Sequence, residues 1–219
     1  MTSPTTESLP NKRIPVIGIV GGIGSGKTAV AEWVGARTNS VVINADTLGH
    51  EALRSAPVKQ SLCERFGRDI LGPDAEIVRA ALAKKVFGES PDLRSARRDL
   101  EQIVHPEIGR RIQEQIASAA AENREAVFLD AAVMLEAGWR PMCDCLVFID
   151  TPDAIRLARV QQRSGWSEQE LEKREASQLS LHDKRERADL IITNDRDLAT
   201  AGQQLLDRLI EKGLIKSRE

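Results

Sequence analysis

The stretch IPVIGIVGGIGSGKT, residues 14–28, decides how the rest of this chain is read. Its first part, Ile14–Val20, is a nearly uninterrupted apolar run, the pattern of a strand covered on both faces of a parallel sheet. Gly21-Gly22-Ile23-Gly24-Ser25-Gly26-Lys27-Thr28 then satisfies G-x-x-x-x-G-K-[ST] at every position, and an Ala- and Val-bearing helical segment follows, ending near Arg37. Strand, glycine loop and helix in that order make a phosphate cradle. Glycines let successive backbone N–H groups converge on phosphate oxygens, and the helix N-terminus adds a favourable dipole. Gly22, Ile23, Gly24, Ser25, Gly26, Lys27 and Thr28 are therefore expected to hold a nucleoside triphosphate. Lys27 should reach the β- and γ-phosphates as a point charge, and the Thr28 hydroxyl should ligate Mg²⁺. A dinucleotide site of the G-x-G-x-x-G kind begins well at Gly22 and Gly24, with the acidic Asp46 farther on. It fails where Lys27 stands in place of the third glycine.

The 219 residues suit one globular domain with insertions, and 41% hydrophobic and 29% charged residues are ordinary for a globular core. A net charge of −2, with no Tyr, 3 Trp and 4 Phe, supplies neither the basic field nor the stacking surface of a nucleic-acid binder. Cys63, Cys143 and Cys145 are too few for a disulfide framework, and the Cys143-x-Cys145 pair has no second pair or nearby His to complete a metal site. They read as reduced thiols of a cytoplasmic chain. No apolar run approaches the roughly 20 residues that span a bilayer, so no membrane partner is expected. The opening, residues 1–13, is polar, lacks the pattern of a signal peptide and reads as a disordered tail. Nothing in the chain suggests a protein partner.

Four further short apolar runs, Val41–Ile43, Ala126–Leu129, Leu146–Ile149 and Leu190–Ile192, alternate with helical segments. The expectation is an α/β fold of the P-loop NTPase type: a five-stranded parallel sheet flanked by helices. Spacing adds two excursions. Residues 44–125 separate the second run from the third, more than one crossover helix consumes, so 48–125 should form a helical insertion domain. Gly67, Gly72-Pro73-Asp74, Gly88 to Pro91 and His105-Pro106 should divide it into helices, with Ile77, Val78, Ala81, Leu82 and Val86 on one apolar face. Residues 14–47 and 126–219 make the nucleotide-binding core, within which about 152–187 should form a small helical lid. There Thr151-Pro152 should open a helix, with Thr151 as its cap, and Ser164-Gly165-Trp166 should break it. Ser167 and Glu170 have capping-box spacing for the next helix. Asp197 should cap a last amphipathic helix that stops at Gly213.

A nucleotide cradle alone does not separate kinases from GTPases or ATP-driven switches. Asp46 lies just past the second strand, at the carboxyl edge where ligands of open α/β sheets collect. A carboxylate there suits the general base that takes the proton of an attacking hydroxyl. The plain alternative is that it caps the helix starting near Thr47. Arg156, Arg159 and Arg163 share one helix face. Arg163, beside the Ser164-Gly165 break, and Arg159 are candidates to close over the transferring phosphate, with a solvated surface role as the alternative. Asp130, at the end of the third run, is placed to assist Mg²⁺ through water. His105 serves either a hydrogen bond across a helix junction or a substrate contact. A GTPase reading finds D-x-x-G at Asp46–Gly49, too close to the loop, and Asn194-Asp195-Arg196-Asp197 with Asp195 where a guanine site wants Lys.

Several of these elements, taken in order, resemble the dephospho-CoA kinase family. They are residues 18–28 followed by Asn44-Ala45-Asp46; Phe66-Gly67-x-x-Ile70-Leu71 with Arg79, Leu82, Val86 and Phe87; and Leu100-Glu101-x-Ile103-Val104-His105-Pro106. Leu129-Asp130 with Leu135-Glu136 continues the series, which ends on Arg163-x-Gly165, Arg174, Gln178, Ala188-Asp189 and Asn194. The similarity runs from Ile14 to Leu209. It implies transfer of the γ-phosphoryl of ATP, with Mg²⁺, to the ribose 3′-hydroxyl of dephospho-CoA, giving coenzyme A and ADP. Asp46 matches the family's catalytic aspartate, residues 48–125 its CoA-binding domain, and the arginines its lid. Two departures stand out: Ala132-Val133 where the family usually has Pro-Leu, and Asn44 in place of a frequent Asp. Another nucleotide or small-molecule kinase, or a nucleotide-dependent switch, remains the alternative.

Overall fold

The computed structural model describes residues 13–88 and 90–217. Of the expected tail over 1–13, all but Arg13 lies outside them, and Arg13 pairs with Asp144 at 2.7 Å. In chain order the elements are β1 (Val16–Gly21), α1 (Lys27–Gly35), β2 (Val41–Asn44), α2 (Ala45–Ala52), α3 (Ala56–Phe66), α4 (Arg79–Val86) and α5 (Pro91–Ala121). After these come β3 (Val127–Asp130), β4 (Cys145–Asp150), α6 (Asp153–Ser164), α7 (Glu168–Glu175), α8 (Leu181–Glu186), β5 (Leu190–Thr193) and α9 (Leu198–Glu211). Each apolar run has become a strand. The five pair in the order β2-β3-β1-β4-β5, all parallel.

β1 is the middle strand, and its alternating side chains feed two cores. Ile17 and Ile19 join Phe128, Val147 and Ile149 beneath α1 and α9, where Val30, Val34, Leu205 and Leu209 are fully buried. Val16 and Val20 face the other way, with Ile43, Leu129 and Phe148, toward the helices between β2 and β3. Complete burial of such an aliphatic side chain is worth about 1.5–3 kcal/mol, so the loop after β1 hangs from the best-anchored strand of the sheet. At Gly18 a Cβ would lie 2.6 Å from Met134 Sδ and 2.8 Å from Cys143 Sγ, so only glycine admits the chain that crosses β1 there. All three cysteines are free, and burial pushes the Cys143 thiol up to about 12 and the Cys145 thiol to about 11, which leaves both unreactive. Among the described residues no helix is long and apolar enough to cross a membrane.

Three local expectations are corrected. Pro106 does not divide the insertion: α5 runs through it from Pro91 to Ala121. Buried Val104, Ile108 and Ile112 pack that helix against its neighbours on both sides of the proline, which offsets the lost backbone bond. Ile77 and Val78 precede α4 instead of lining it. Ile77 bridges Leu71, Val78 is exposed at the cap position, and Leu82 and Val86 carry the buried face. Thr151 does not cap α6; Pro152 holds that position, and the buried Thr151 hydroxyl donates instead to the Ser25 carbonyl at 3.0 Å. The other stops stand as read. Gly165 ends α6 at φ 67°, Ser167 accepts from the Glu170 amide, Asp197 caps α9, and Gly213 follows it at φ 68°. The Glu170 carboxylate, however, bonds Arg174 and leaves the capping box half made.

Candidate active site

The loop after β1 is held by its carbonyls. Lys27 Nζ donates to the Gly21 and Gly22 oxygens at 3.2 and 3.0 Å, and Arg156 Nη1 to the Ile23 oxygen at 3.2 Å. Arg159 Nη1 lies 3.5 Å from the Gly24 oxygen and 3.3 Å from that of Ser25. The Ser25 oxygen also accepts from Thr151 and, at 2.7 Å, from Asn194 Nδ2, while the Gly26 oxygen takes the Val30 amide. Two of the loop amides are also taken, that of Ile23 by Glu175 and that of Ser25 by the Gly22 carbonyl. The amides of Gly24, Gly26, Lys27 and Thr28 have no protein partner among the described residues, which is the geometry of an anion nest at a helix start. Gly24 and Gly26 sit at φ 80° and 85°, and a Cβ at Gly24 would lie 2.7 Å from the Arg156 carbonyl. Among the described residues, the buried side-chain atoms that lack a partner, Ser25 Oγ, Arg156 Nε and Asn194 Oδ1, all belong to residues at this loop. Unpaired buried polar atoms are rare enough that their concentration here points to a ligand.

A second group of side chains closes the cradle from the β2 and β3 side. Asp130, at the end of β3, is buried and accepts a close hydrogen bond from the Thr28 hydroxyl and one of 3.3 Å from Asn44 Nδ2. Burial lifts its pKa above the usual carboxylate value, with the charges of Asp46 and Glu32 adding to the rise, against the Thr28 bond and Lys27. Burial likewise presses the Lys27 ammonium below its ordinary value, as does Lys184, while Asp130 and Asp46 pull it back up. Asp46 lies in the first turn of α2, exposed and within electrostatic reach of both. Asn44, not Asp46, caps α2, accepting from the Thr47 amide at 3.0 Å. The capping alternative therefore falls to Asn44, and the Asp46 carboxylate is free of that task. The same Asn44 explains its own departure from Asp: a carboxylate would face Asp130 where the amide now donates a hydrogen bond.

The other candidates lie farther out. Arg163, in the last turn of α6, is exposed and has no ion pair among the described residues. Arg174 stacks 4.0 Å above the Trp166 ring and pairs with Glu170. His105 sits mid-helix in α5, not at a junction, its ring edge-on to Trp139 at 5.5 Å. Burial lowers its pKa, opposed by Glu101 and Glu136, so the neutral ring is favoured. It lines two clefts on either side of α5. One, of about 620 Å³, has a mixed lining that includes Arg98, Arg110, Glu136 and Trp139. The other, of about 530 Å³, is mainly apolar and includes Leu82, Val86, Val104 and the exposed Phe87.

The family model for dephospho-CoA kinases matches residues 15–200. The chain belongs to the dephospho-CoA kinase family. Its similarity to the dephospho-CoA kinase of Methylococcus capsulatus is 36% identity over 185 residues, 84% of this chain and 89% of that one. With that of Rhodopirellula baltica it is 34% over 214 residues, 96% of this chain and 94% of the relative. A Thermus thermophilus protein of known crystal structure superimposes with a TM-score of 0.76 at 30% identity, covering 91% of this chain and 98% of that one. The dephospho-CoA kinase of Campylobacter jejuni, at 23% identity and TM-score 0.60, shares the fold over 94% of this chain and 100% of its own. The chain is an ATP-dependent kinase of the P-loop type.

The structure thus gathers Lys27, Thr28 and Arg159 around one loop with Asp46 nearby, and leaves Arg163 and His105 outside its hydrogen bonds. It also adds residues that sequence reading passed over. Glu175 accepts the Ile23 amide at 3.1 Å and pairs closely with Arg156, itself only 3% exposed. Lys184, fully buried, donates to the Ala132 carbonyl at 2.8 Å and to Gln178 at 2.9 Å, and pairs with Glu136 at 3.2 Å. In a charge-rich helical segment these residues look like any solvated Arg, Glu or Lys. Only the return of that segment over the loop distinguishes them.

Proposed function

We propose that this chain, in the cytoplasm, transfers the γ-phosphoryl group of ATP to the ribose 3′-hydroxyl of dephospho-CoA, yielding coenzyme A and ADP. One observation supports the reading beyond the family: the unpartnered loop amides and Lys27 follow β1, and the Asp46 carboxylate, just past β2, lies within electrostatic reach of Lys27. ATP lies with its phosphates over Gly22–Thr28. Lys27 leaves the carbonyls of Gly21 and Gly22 for the β- and γ-phosphates, where an anion relieves the strain on its charge. Asp46 orients the acceptor hydroxyl and takes its proton as the oxygen attacks phosphorus; the bond to the β–γ bridging oxygen breaks, and ADP leaves.

The residues present also suit Mg²⁺. The Thr28 hydroxyl and the Asp130 carboxylate are hard oxygen donors already in contact, and Asp130 is a buried carboxylate in need of a countercharge. Thr28 would bind the ion directly and Asp130 through water. When bound, it neutralises charge on the β- and γ-phosphates.

Residues 48–125 serve as the acceptor domain, with His105 at the wall between its clefts as a substrate contact. Residues 152–187 serve as the lid, with Arg159 beside the loop and Arg163 free to swing onto the transferring phosphate. Catalysis is then mainly positioning and charge neutralisation. The test is an acceptor panel with purified protein, ATP and Mg²⁺. ADP release should rise sharply with dephospho-CoA alone, and the product should carry phosphate on the 3′-oxygen. Stimulation by a nucleoside monophosphate instead, or by no acceptor, rejects the assignment.

A further inference from the structure

We propose that Arg156 and Glu175 are positioning residues for the phosphate loop, acting by gripping the two peptide units on either side of the Ile23 α-carbon. Glu175, the last residue of α7, accepts the Ile23 N–H at 3.1 Å, and Arg156, in α6, donates Nη1 to the Ile23 carbonyl at 3.2 Å. The two side chains are joined by a close ion pair, and Arg156 Nη2 also meets the solvent-facing carboxylate of Asp153 at 2.8 Å, a surface contact. The Arg156 side chain is 4% exposed and that of Glu175 22%, whereas Asp153 is 90% exposed. The grip is tight. A Cβ at Gly22 would lie 2.6 Å from Arg156 Nη1 and 3.1 Å from Glu175 Oε1. Glycine at this position is thus what lets a charged pair lie flat on the loop backbone.

The physical consequence is preorganisation. A loop with glycines at 21, 22, 24 and 26 has much backbone freedom to lose on ordering. Fixing φ and ψ at Ile23 lets the loop amides meet phosphate without reorganising. Charge-assisted hydrogen bonds shielded from water are the strong kind, and here both lie far along the chain from the loop they set. The Ile23 amide, being taken by Glu175, is not one of the phosphate donors; its job is to anchor the amides of Gly24 and Gly26–Thr28.

This inference rests on the reading that residues 21–28 hold ATP, and the experiment separates the two. Affinity for a non-hydrolysable ATP analogue with Mg²⁺ is measured by calorimetry on wild type, Glu175→Ala, Glu175→Gln and Asp153→Ala, alongside steady-state KM for ATP and for dephospho-CoA and the melting temperature without nucleotide. Glu175→Ala should weaken the analogue and raise KM for ATP about tenfold, the loss expected for one charge-assisted hydrogen bond. Glu175→Gln, whose Oε1 still accepts the Ile23 amide, should recover most of that loss. KM for dephospho-CoA should stay within about twofold, as should every value for Asp153→Ala, whose ion pair is at the surface. A fall in melting temperature with both KM values rising together would show a merely structural role. Tighter analogue binding by Glu175→Ala would show a carboxylate competing with phosphate. Either result overturns the proposal, as does unchanged binding. Failure of wild type to bind the analogue would instead remove the nucleotide reading itself.

Discussion

Asp46 and Lys27 carry opposite obligations, and their substitutions should fail in different ways. Asp46 is exposed, caps nothing and sits within reach of Lys27 and Asp130, so removing its charge disturbs little of the fold. Asp46→Asn should lower kcat by about 10²- to 10⁴-fold, the usual worth of general-base help, with the dissociation constant for an ATP analogue nearly unchanged. Steady-state rates and calorimetry on the same preparation check it; loss of thermal stability with kcat intact would reduce Asp46 to a structural residue. Lys27 is the reverse case. Its ammonium is held against two loop carbonyls with its pKa depressed by burial, a poor situation for a cation until phosphate arrives. Lys27→Ala should therefore abolish useful turnover while leaving the nucleotide-free protein at least as resistant to urea as wild type. Near-normal turnover would mean that the cradle had been misread.

α5 shows what local pattern can and cannot tell. His105-Pro106 reads as a boundary because proline lacks an N–H and crowds the preceding turn, and both costs are real. The helix continues because Val104, Ile108 and Ile112 lie on one buried stripe that straddles the proline. Tertiary burial outweighed local propensity there. The strands show the opposite: each is a short, nearly pure apolar run, so composition alone marked all five, the central β3, β1 and β4 buried on both faces and the edge strand β5 exposing Ile191 and Thr193. Stops built on one residue's chemistry, Gly165 and Asp197, were legible for the same reason. Thr151 was not, since its hydroxyl had a better partner in the Ser25 carbonyl than in its own helix. If Pro106 is tolerated and not required, Pro106→Ala should restore a backbone bond and stabilise the protein by about 1–3 kcal/mol in urea unfolding. A loss of stability would show that the ring itself packs α5.

The loop after β1 was legible as a motif because its glycines, Lys27 and Thr28 all lie within Gly21–Thr28. What holds it was not, because Thr151, Arg156, Glu175 and Asn194 come from distant stretches that meet only through the sheet order. The same folding that brings them together buries Asp130 against the loop, and the molecule bears a cost for it. The Asp130 pKa is raised by burial, so the folded state prefers the protonated acid while the unfolded chain ionises at the ordinary value of 3.8. Between that value and the higher folded one, the native state binds more protons than the unfolded state, and stability falls as pH rises. Above the folded pKa the penalty is fully present; below 3.8 it is gone. Asn at 130 keeps an oxygen for the Thr28 hydroxyl and carries no charge. Asp130→Asn should then stabilise the nucleotide-free protein near pH 7 by about 0.5–2 kcal/mol, the range typical of relieving strain at a functional site. That advantage should shrink as the pH approaches 3.8, while turnover falls and the Mg²⁺ concentration for half-maximal rate rises. Urea unfolding at several pH values and a Mg²⁺ titration of the rate read both sides of the exchange. A variant that lost stability at neutral pH would place Asp130 among the residues that build the sheet, with no charge held in reserve for the metal.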